Sequence, residues 1–192
     1  RREEYHGLKI VRVPLTARGK KQPWRLALNY LSFAFFASVL GPLYCRGKFD
    51  VVFAYEPSPI TIALPAIVFK KLKHAPFIFW VQDLWPESLV ATGAVRSRRV
   101  VKTFGRLARL IYRQCNRILV QSKGFIEPVK AMGGDVKKII YVPNWAEELY
   151  RPIPRKDAQQ EGEKMPDGFC VMFAGNIGAA QDFPTILTVA EQ

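Results

Sequence analysis

The chain has 192 residues, 49% of them hydrophobic, with 29 Lys and Arg against 16 Asp and Glu, for a net charge of +13. That apolar content excludes a disordered or low-complexity chain, and the length allows one core, or one domain and the start of another. The charge argues for an anionic partner: nucleic acid, an acidic lipid surface or a phosphorylated substrate.

In chain order, Leu8–Val13 alternates weakly and reads as a short strand. Pro14 to Gln22 is a basic loop carrying Arg18, Lys20 and Lys21. Pro23 opens a long helix, the position that proline favours. Leu26 to Cys45 holds no charged residue. Such a run is long enough to reach across a bilayer core of ~30 Å. Asn29, Ser32 and Ser38 dilute it and Gly41-Pro42 interrupts it, so a buried core helix is preferred over monotopic membrane contact, and both over a true span. Phe49–Tyr55 reads as a strand, Glu56-Pro57-Ser58-Pro59 as a rigid loop, and Ile60–Lys73 as a helix that Pro65 can kink.

Phe77–Val81 is a dense apolar run that stops abruptly at Gln82, Asp83, Trp85, Pro86 and Glu87. A buried parallel strand ending in polar groups marks the edge where ligands bind in an α/β sheet. From Arg96 to about Cys115 the chain reads as a helix. Arg98, Lys102, Arg106, Arg109 and Arg113 share one face, with no acidic residue between Ser88 and Ile126. A solvated helix normally mixes signs, so this face is expected to meet phosphate or anionic lipid. Asn116–Gln121 is another strand, and Ser122 caps the helix after it. Lys138–Val142 is a strand closed by Pro143-Asn144-Trp145. Glu147 to Asp167 is charged, proline-bearing and aperiodic, and reads as a linker. Phe169–Ala174 then starts a new strand, followed by a glycine turn, Gly175-Asn176-Ile177-Gly178, and a helix opened by Asp182 and Pro184.

Strand alternating with helix implies a parallel sheet with right-handed crossovers. Loops that follow such strands lie on one edge, which brings Glu56, Gln82, Asp83, Glu87, Ser122 and Asn144 together. Asp83 is the candidate catalytic group, placed to orient or deprotonate a hydroxyl. Its structural alternative is to cap its own loop. Gln82 suits hydroxyls or phosphate. Trp85 offers a flat apolar face to a sugar ring or a lipid, or simply packs its loop. Glu56 can hold a second hydroxyl. The glycine turn lets backbone amides approach a diphosphate. His6 and His74 lie away from the edge, so no nucleophile triad is expected. Cys45, Cys115 and Cys170 are odd in number and far apart. They suggest neither disulfides nor a metal site, and a reducing cytosol fits best. No signal peptide is visible, the chain starts at Arg1, and Glu191-Gln192 falls in mid-helix, so the sequence reads as a fragment.

Asp50-Val51-Val52, Gln82-Asp83-Leu84-Trp85-Pro86-Glu87, Val142-Pro143-Asn144-Trp145 and Gly175-Asn176-Ile177-Gly178-Ala179-Ala180-Gln181 occur in this order. Their order and spacing resemble the bacterial glycosyltransferases of family 4, the O-antigen and capsule type such as the N-acetyl-L-fucosamine transferases above all. The resemblance covers nearly the whole chain. It implies a GT-B fold of two Rossmann-like α/β domains. Residues 1–150 would be the acceptor-side domain without its first strand, 151–167 the linker, and 168–192 the start of the donor-side domain. It further implies metal-independent transfer, with no cofactor, of a sugar from a nucleotide-diphosphate sugar to a glycan or polyprenyl-diphosphate-linked acceptor in surface polysaccharide synthesis. The enzyme would work in the cytoplasm, peripheral on the inner face of the membrane.

On the same resemblance Asp83 is catalytic. Glu56, Gln82, Trp85, Glu87 and Asn144 face the acceptor, and Gly175, Asn176 and Gly178 face the donor diphosphate. Arg98, Lys102, Arg106, Arg109 and Arg113 meet the membrane or the acceptor diphosphate. Many relatives carry His-Asp where this chain has Gln82-Asp83, so no histidine role transfers. The basic pair and paired glutamates that bind donor in the family are absent from the sequence, and the 192-residue chain alone is expected to be inactive. The alternatives are a nucleotide-sugar epimerase of the same fold and a non-catalytic basic module on membrane or nucleic acid. Nucleic acid is disfavoured, because no recognised motif is present and no aromatics interleave the basic stripe.

Overall fold

The structure, a computed structural model, describes residues 1–19, 22–93, 95–154, 168–175, 177–178 and 181–191. The chain divides into two compact units, Arg1–Pro143 and Asn144–Gln192.

The first unit opens with an antiparallel hairpin, β1 (Arg2–Tyr5) on β2 (Leu8–Val11), with Tyr5 opposite Leu8. The turn residues His6 and Gly7 both have positive φ (47° and 80°), the backbone that tight two-residue hairpin turns require. Sequence periodicity missed β1, because Arg2-Glu3-Glu4 carries no apolar alternation. Its partner strand and the ion pair of Arg12 with Glu3 hold it instead.

The central sheet has four parallel strands in the order β3 (Val52–Glu56), β4 (Phe77–Val81), β5 (Arg117–Val120) and β6 (Ile139–Tyr141). The sequence expectation of a parallel α/β sheet flanked by helices is met. Period-two alternation sends Phe77, Phe79 and Val81 of β4 to one face, where all three are fully buried. Helices α2 (Ala63–Lys73) and α4 (Arg98–Gln114) belong to the same core, through Ala63 and Ala66 on one and Ala108, Ile111 and Tyr112 on the other. Asn116 ties β5 to β4: its side chain accepts from the Phe77 amide at 3.0 Å, and its own amide donates to the Phe77 carbonyl at 2.8 Å. Short helices α3 (Glu87–Ala91) and α5 (Ile126–Ala131) follow β4 and β5. Pro65 falls in the first turn of α2, where its missing N–H costs no helix bond.

Helix α1 (Pro23–Tyr44) corrects an expectation. It is not a buried core helix. One face packs on α2, with Ala34 buried and Gly41 so close that a Cβ there would lie 2.8 Å from the Phe69 ring. The opposite face stays open. α2 and α4 already cover the core face of the sheet, so α1 finds a partner for one stripe alone. Asn29 and Ser32, which dilute the apolar run, tether the preceding loop: Asn29 donates to the Thr16 carbonyl, and Ser32 Oγ accepts from the Thr16 amide at 2.9 Å.

In the second unit, α6 (Phe183–Ala190) follows Asp182, whose carboxylate accepts from Thr185 Oγ1 at 2.7 Å. The strand expected over Phe169–Ala174 does not form. A strand exists by its ladder, and no described residue pairs with this run. Lys20, Lys21, Asn176 and residues 155–167 of the expected linker lie outside the described residues.

Candidate active site at the carboxyl edge of the sheet

The four strands run the same way, so their carboxyl ends share one edge. Register aligns Glu56 with Val81 and Val81 with Val120. Gln82 and Asp83 therefore emerge beside the end of β3, and the Gln82 amide donates to the Glu56 carbonyl at 3.2 Å.

Alternation along β3 decides the fate of Glu56. Val52, Ala54 and Glu56 point to the packed face, so the carboxyl enters the core and is fully buried. Neither of its oxygens has a hydrogen-bond partner among the described residues. Burial pushes its pKa up to about 9, and the charge of Asp83 pushes the same way. The backbone amides of Asp83 and Gln82 face the carboxyl and oppose the rise, but fall short of full hydrogen bonds. Glu56 is accordingly protonated at neutral pH, an O–H donor rather than the anion that its sequence position suggests.

Asp83 and Gln82 are half-buried at the edge, and Glu87 is exposed at the first position of α3. Trp85 departs from its expected role. It is 5% exposed and packs edge-to-face on Phe104 of α4, with ring centroids 5.1 Å apart, so the ring is a wall of the core rather than a platform for a sugar. Its Nε1 is buried without a hydrogen-bond partner among the described residues, as are Thr61 Oγ1 and Ser88 Oγ. Glu56 ends β3, and Thr61, Trp85 and Ser88 lie in the segments that follow β3 and β4. Buried polar groups are nearly always paired, so such a concentration makes this edge a candidate ligand site. Sequence reasoning missed Thr61 and Ser88, because no spacing or composition signals an orphaned hydroxyl. Ser122 is engaged locally, accepting from the Gly124 amide at 3.2 Å.

The basic face of α4 starts toward this edge and runs back toward the start of β5. Arg98, Lys102, Arg106, Arg109 and Arg113 are all exposed, and none pairs with a carboxylate among the described residues. Lys102, Arg106 and Arg109 rim a groove of about 290 Å³ floored by Val101, Gly105, Met132 and Pro86. Pro86 belongs to the loop after β4, three residues past Asp83, so the groove and the candidate carboxylate share that loop. Asn144, Gly175 and Gly178 belong to the second unit, with both glycines exposed, so the first unit alone brings Glu56, Gln82, Asp83, Trp85 and Glu87 together. Among the described residues no three His, Cys, Asp or Glu side chains gather as metal ligands.

The edge thus offers a half-buried carboxylate, a protonated carboxyl behind it and a cationic groove alongside, a set suited to a hydroxylated, phosphate-bearing ligand. No curated protein sequence matches the chain. A family model does match: the glycosyl transferase 4-like domain, over residues 1–145. That match takes in both the parallel sheet and the carboxylate-bearing edge, and the chain belongs to the glycosyl transferase 4-like domain family.

Proposed function

We propose that the first unit is the acceptor side of a glycosyltransferase that moves a sugar from a nucleotide-diphosphate sugar to a glycan or polyprenyl-diphosphate-linked acceptor during surface polysaccharide synthesis. O-antigen and capsule assembly, including N-acetyl-L-fucosamine transfer, is the favoured setting, and the cytoplasmic face of the membrane the favoured place. The observation that carries this reading is the pairing of half-buried Asp83 with the buried, protonated Glu56 on one edge.

In the reaction the acceptor hydroxyl oxygen bonds to the anomeric carbon of the donor. The bond from that carbon to the diphosphate breaks, and the nucleoside diphosphate leaves with the electron pair. Asp83 takes the hydroxyl proton. Glu56 donates a hydrogen bond toward the acceptor or toward Asp83 and adds no second negative charge to the edge. Lys102, Arg106 and Arg109 hold the acceptor diphosphate, with Arg98 and Arg113 extending the same field toward anionic lipid. In the second unit the amides around Gly175 and Gly178 are assigned to the donor diphosphate, with Asn144 on the acceptor.

The test has two arms. Polyprenyl-diphosphate-linked sugar in mixed micelles is titrated into the purified chain. Lys102→Gln, Arg106→Gln and Arg109→Gln together are expected to weaken binding by about tenfold or more. In membranes from cells expressing the protein, Asp83→Asn is expected to lower sugar transfer at least about 100-fold while lipid-acceptor binding persists. Unchanged transfer in Asp83→Asn would remove Asp83 from the chemistry. Unchanged binding in the triple variant would remove the groove from acceptor recognition.

A further inference from the structure

The open face of α1 carries large exposed apolar side chains, whose ring contacts among the described residues stay within the helix itself. Trp24, Leu28, Leu31, Phe35, Val39 and Leu43 recur at three- and four-residue steps along the whole helix, and each is 43–62% exposed. At about 1.5 Å per residue the stripe is about 30 Å long. A water-soluble surface rarely leaves so long an apolar row uncovered.

Charge says what covers it. From Tyr5 to Phe49 the sequence holds no Asp or Glu and eight cations: Lys9, Arg12, Arg18, Lys20, Lys21, Arg25, Arg46 and Lys48. They bracket the helix. Arg25 sits at its first turn with its guanidinium 5.2 Å from the Trp24 ring, and Arg46 and Lys48 follow its last residue, all three exposed. A second copy would bring two such cationic segments together and be repelled. A leaflet with acidic headgroups complements both the charge and the apolar row.

The geometry also fixes the orientation. The inner face of α1 is held on α2 by the close approach of Gly41 to Phe69, and the buried Asn29 binds the preceding loop to the same helix. A helix docked along one side cannot become a lipid-surrounded span. Its mean hydropathy of 1.6 over Trp24–Tyr44 satisfies the length and composition of a span, yet the fold leaves one stripe for lipid. Trp24 at one end and Tyr44 at the other are residue types that favour the headgroup level, and both ends of a helix lying flat meet that level.

We propose that α1 is an in-plane membrane anchor whose Trp24–Leu43 stripe sinks into an anionic leaflet while its other face stays packed on α2. This deepens the reading that the enzyme works at a membrane surface and rests on it. The two differ in mechanism, since α4 supplies salt-sensitive attraction and α1 supplies apolar insertion.

The chain has four tryptophans, of which Trp80 and Trp85 are buried. In a Trp145→Phe background the exposed Trp24 therefore reports on α1. The probe is vesicles of phosphatidylcholine and phosphatidylglycerol, with brominated acyl chains for quenching. Quenching of Trp24 fluorescence is expected on binding, and the quenching per bound protein is expected to stay the same when added salt lowers the bound fraction. Leu31→Ser with Phe35→Ser is expected to weaken vesicle binding about tenfold or more without changing the far-UV spectrum.

Binding without Trp24 quenching, and with equal affinity in the double variant, would overturn the anchor and leave the electrostatic reading intact. No binding to anionic vesicles at all would overturn both. A solution dimer that the double variant dissociates, with no quenching on vesicles, would assign the stripe to a second copy and overturn the proposal.

Discussion

Two residues at the carboxyl edge, Glu56 and Asp83, are the candidates for the proposed chemistry, and alternation along β3 sets the state of the first. Glu56 would be solvent-exposed one position earlier or later. At its actual register it enters the core and holds its proton to about pH 9. An unfolded carboxyl titrates near 4.5, so between those values the folded chain binds a proton that the unfolded chain releases. Stability therefore falls as pH rises from about 5 to 9. Glu56→Gln removes that slope. It is expected to stabilise the chain by on the order of 3 kcal/mol at pH 7, the gain shrinking toward pH 5. Thermal melts of both proteins at pH 5, 7 and 8 check this, and a variant with the wild-type pH slope would contradict it. Cys115 is a second buried titrating group, with its thiol pushed up to about 12 by burial. It is expected to label with thiol reagents after unfolding, whereas exposed Cys170 labels in the folded chain.

Among the elements, the α1–α2 contact is the most sensitive to a single change. A side chain at Gly41 would press on the Phe69 ring, because the two helices approach through the space that glycine leaves. Gly41→Val is expected to cost about 1–3 kcal/mol in a urea melt. Leu31→Ser, on the exposed stripe of the same helix, is expected to stay within about 0.5 kcal/mol. Equal losses at the two positions would mean that α1 buries both faces. α4 shows the complementary design: Ala108, Ile111 and Tyr112 are in the core while its cations face out. Its five-cation face was legible from spacing alone, since helical periodicity is a local property. The groove that joins three of those cations to Pro86 was not, because it depends on how the loop after β4 folds over the helix.

For the whole molecule, a charge of +13 predicts the salt dependence of the proposed membrane binding. Co-sedimentation with anionic vesicles is expected to fall roughly tenfold or more between low and high salt, as the screening length contracts from ~10 Å at 0.1 M to ~3 Å at 1 M. Whatever binding remains at high salt is the share of the apolar stripe. Equal binding to neutral vesicles would remove the electrostatic contribution. The division at Pro143 gathers the carboxylates and the basic groove in one unit, so these charge effects belong to Arg1–Pro143.

By itself the sequence determined the parallel α/β class, the strand that ends at Gln82-Asp83, the basic face of α4 and the likeness to a glycosyltransferase family. These follow from period-two and period-3.6 patterning and from short motifs, all of which act over a few residues. The tertiary structure decided what depends on neighbours far away in the chain. It buried Glu56 and so kept its proton on, and it turned Trp85 into a core wall against Phe104. It left Phe169–Ala174 without a ladder among the described residues. It also left α1 half uncovered, because the face of the sheet that an apolar helix would otherwise cover is already occupied by α2 and α4.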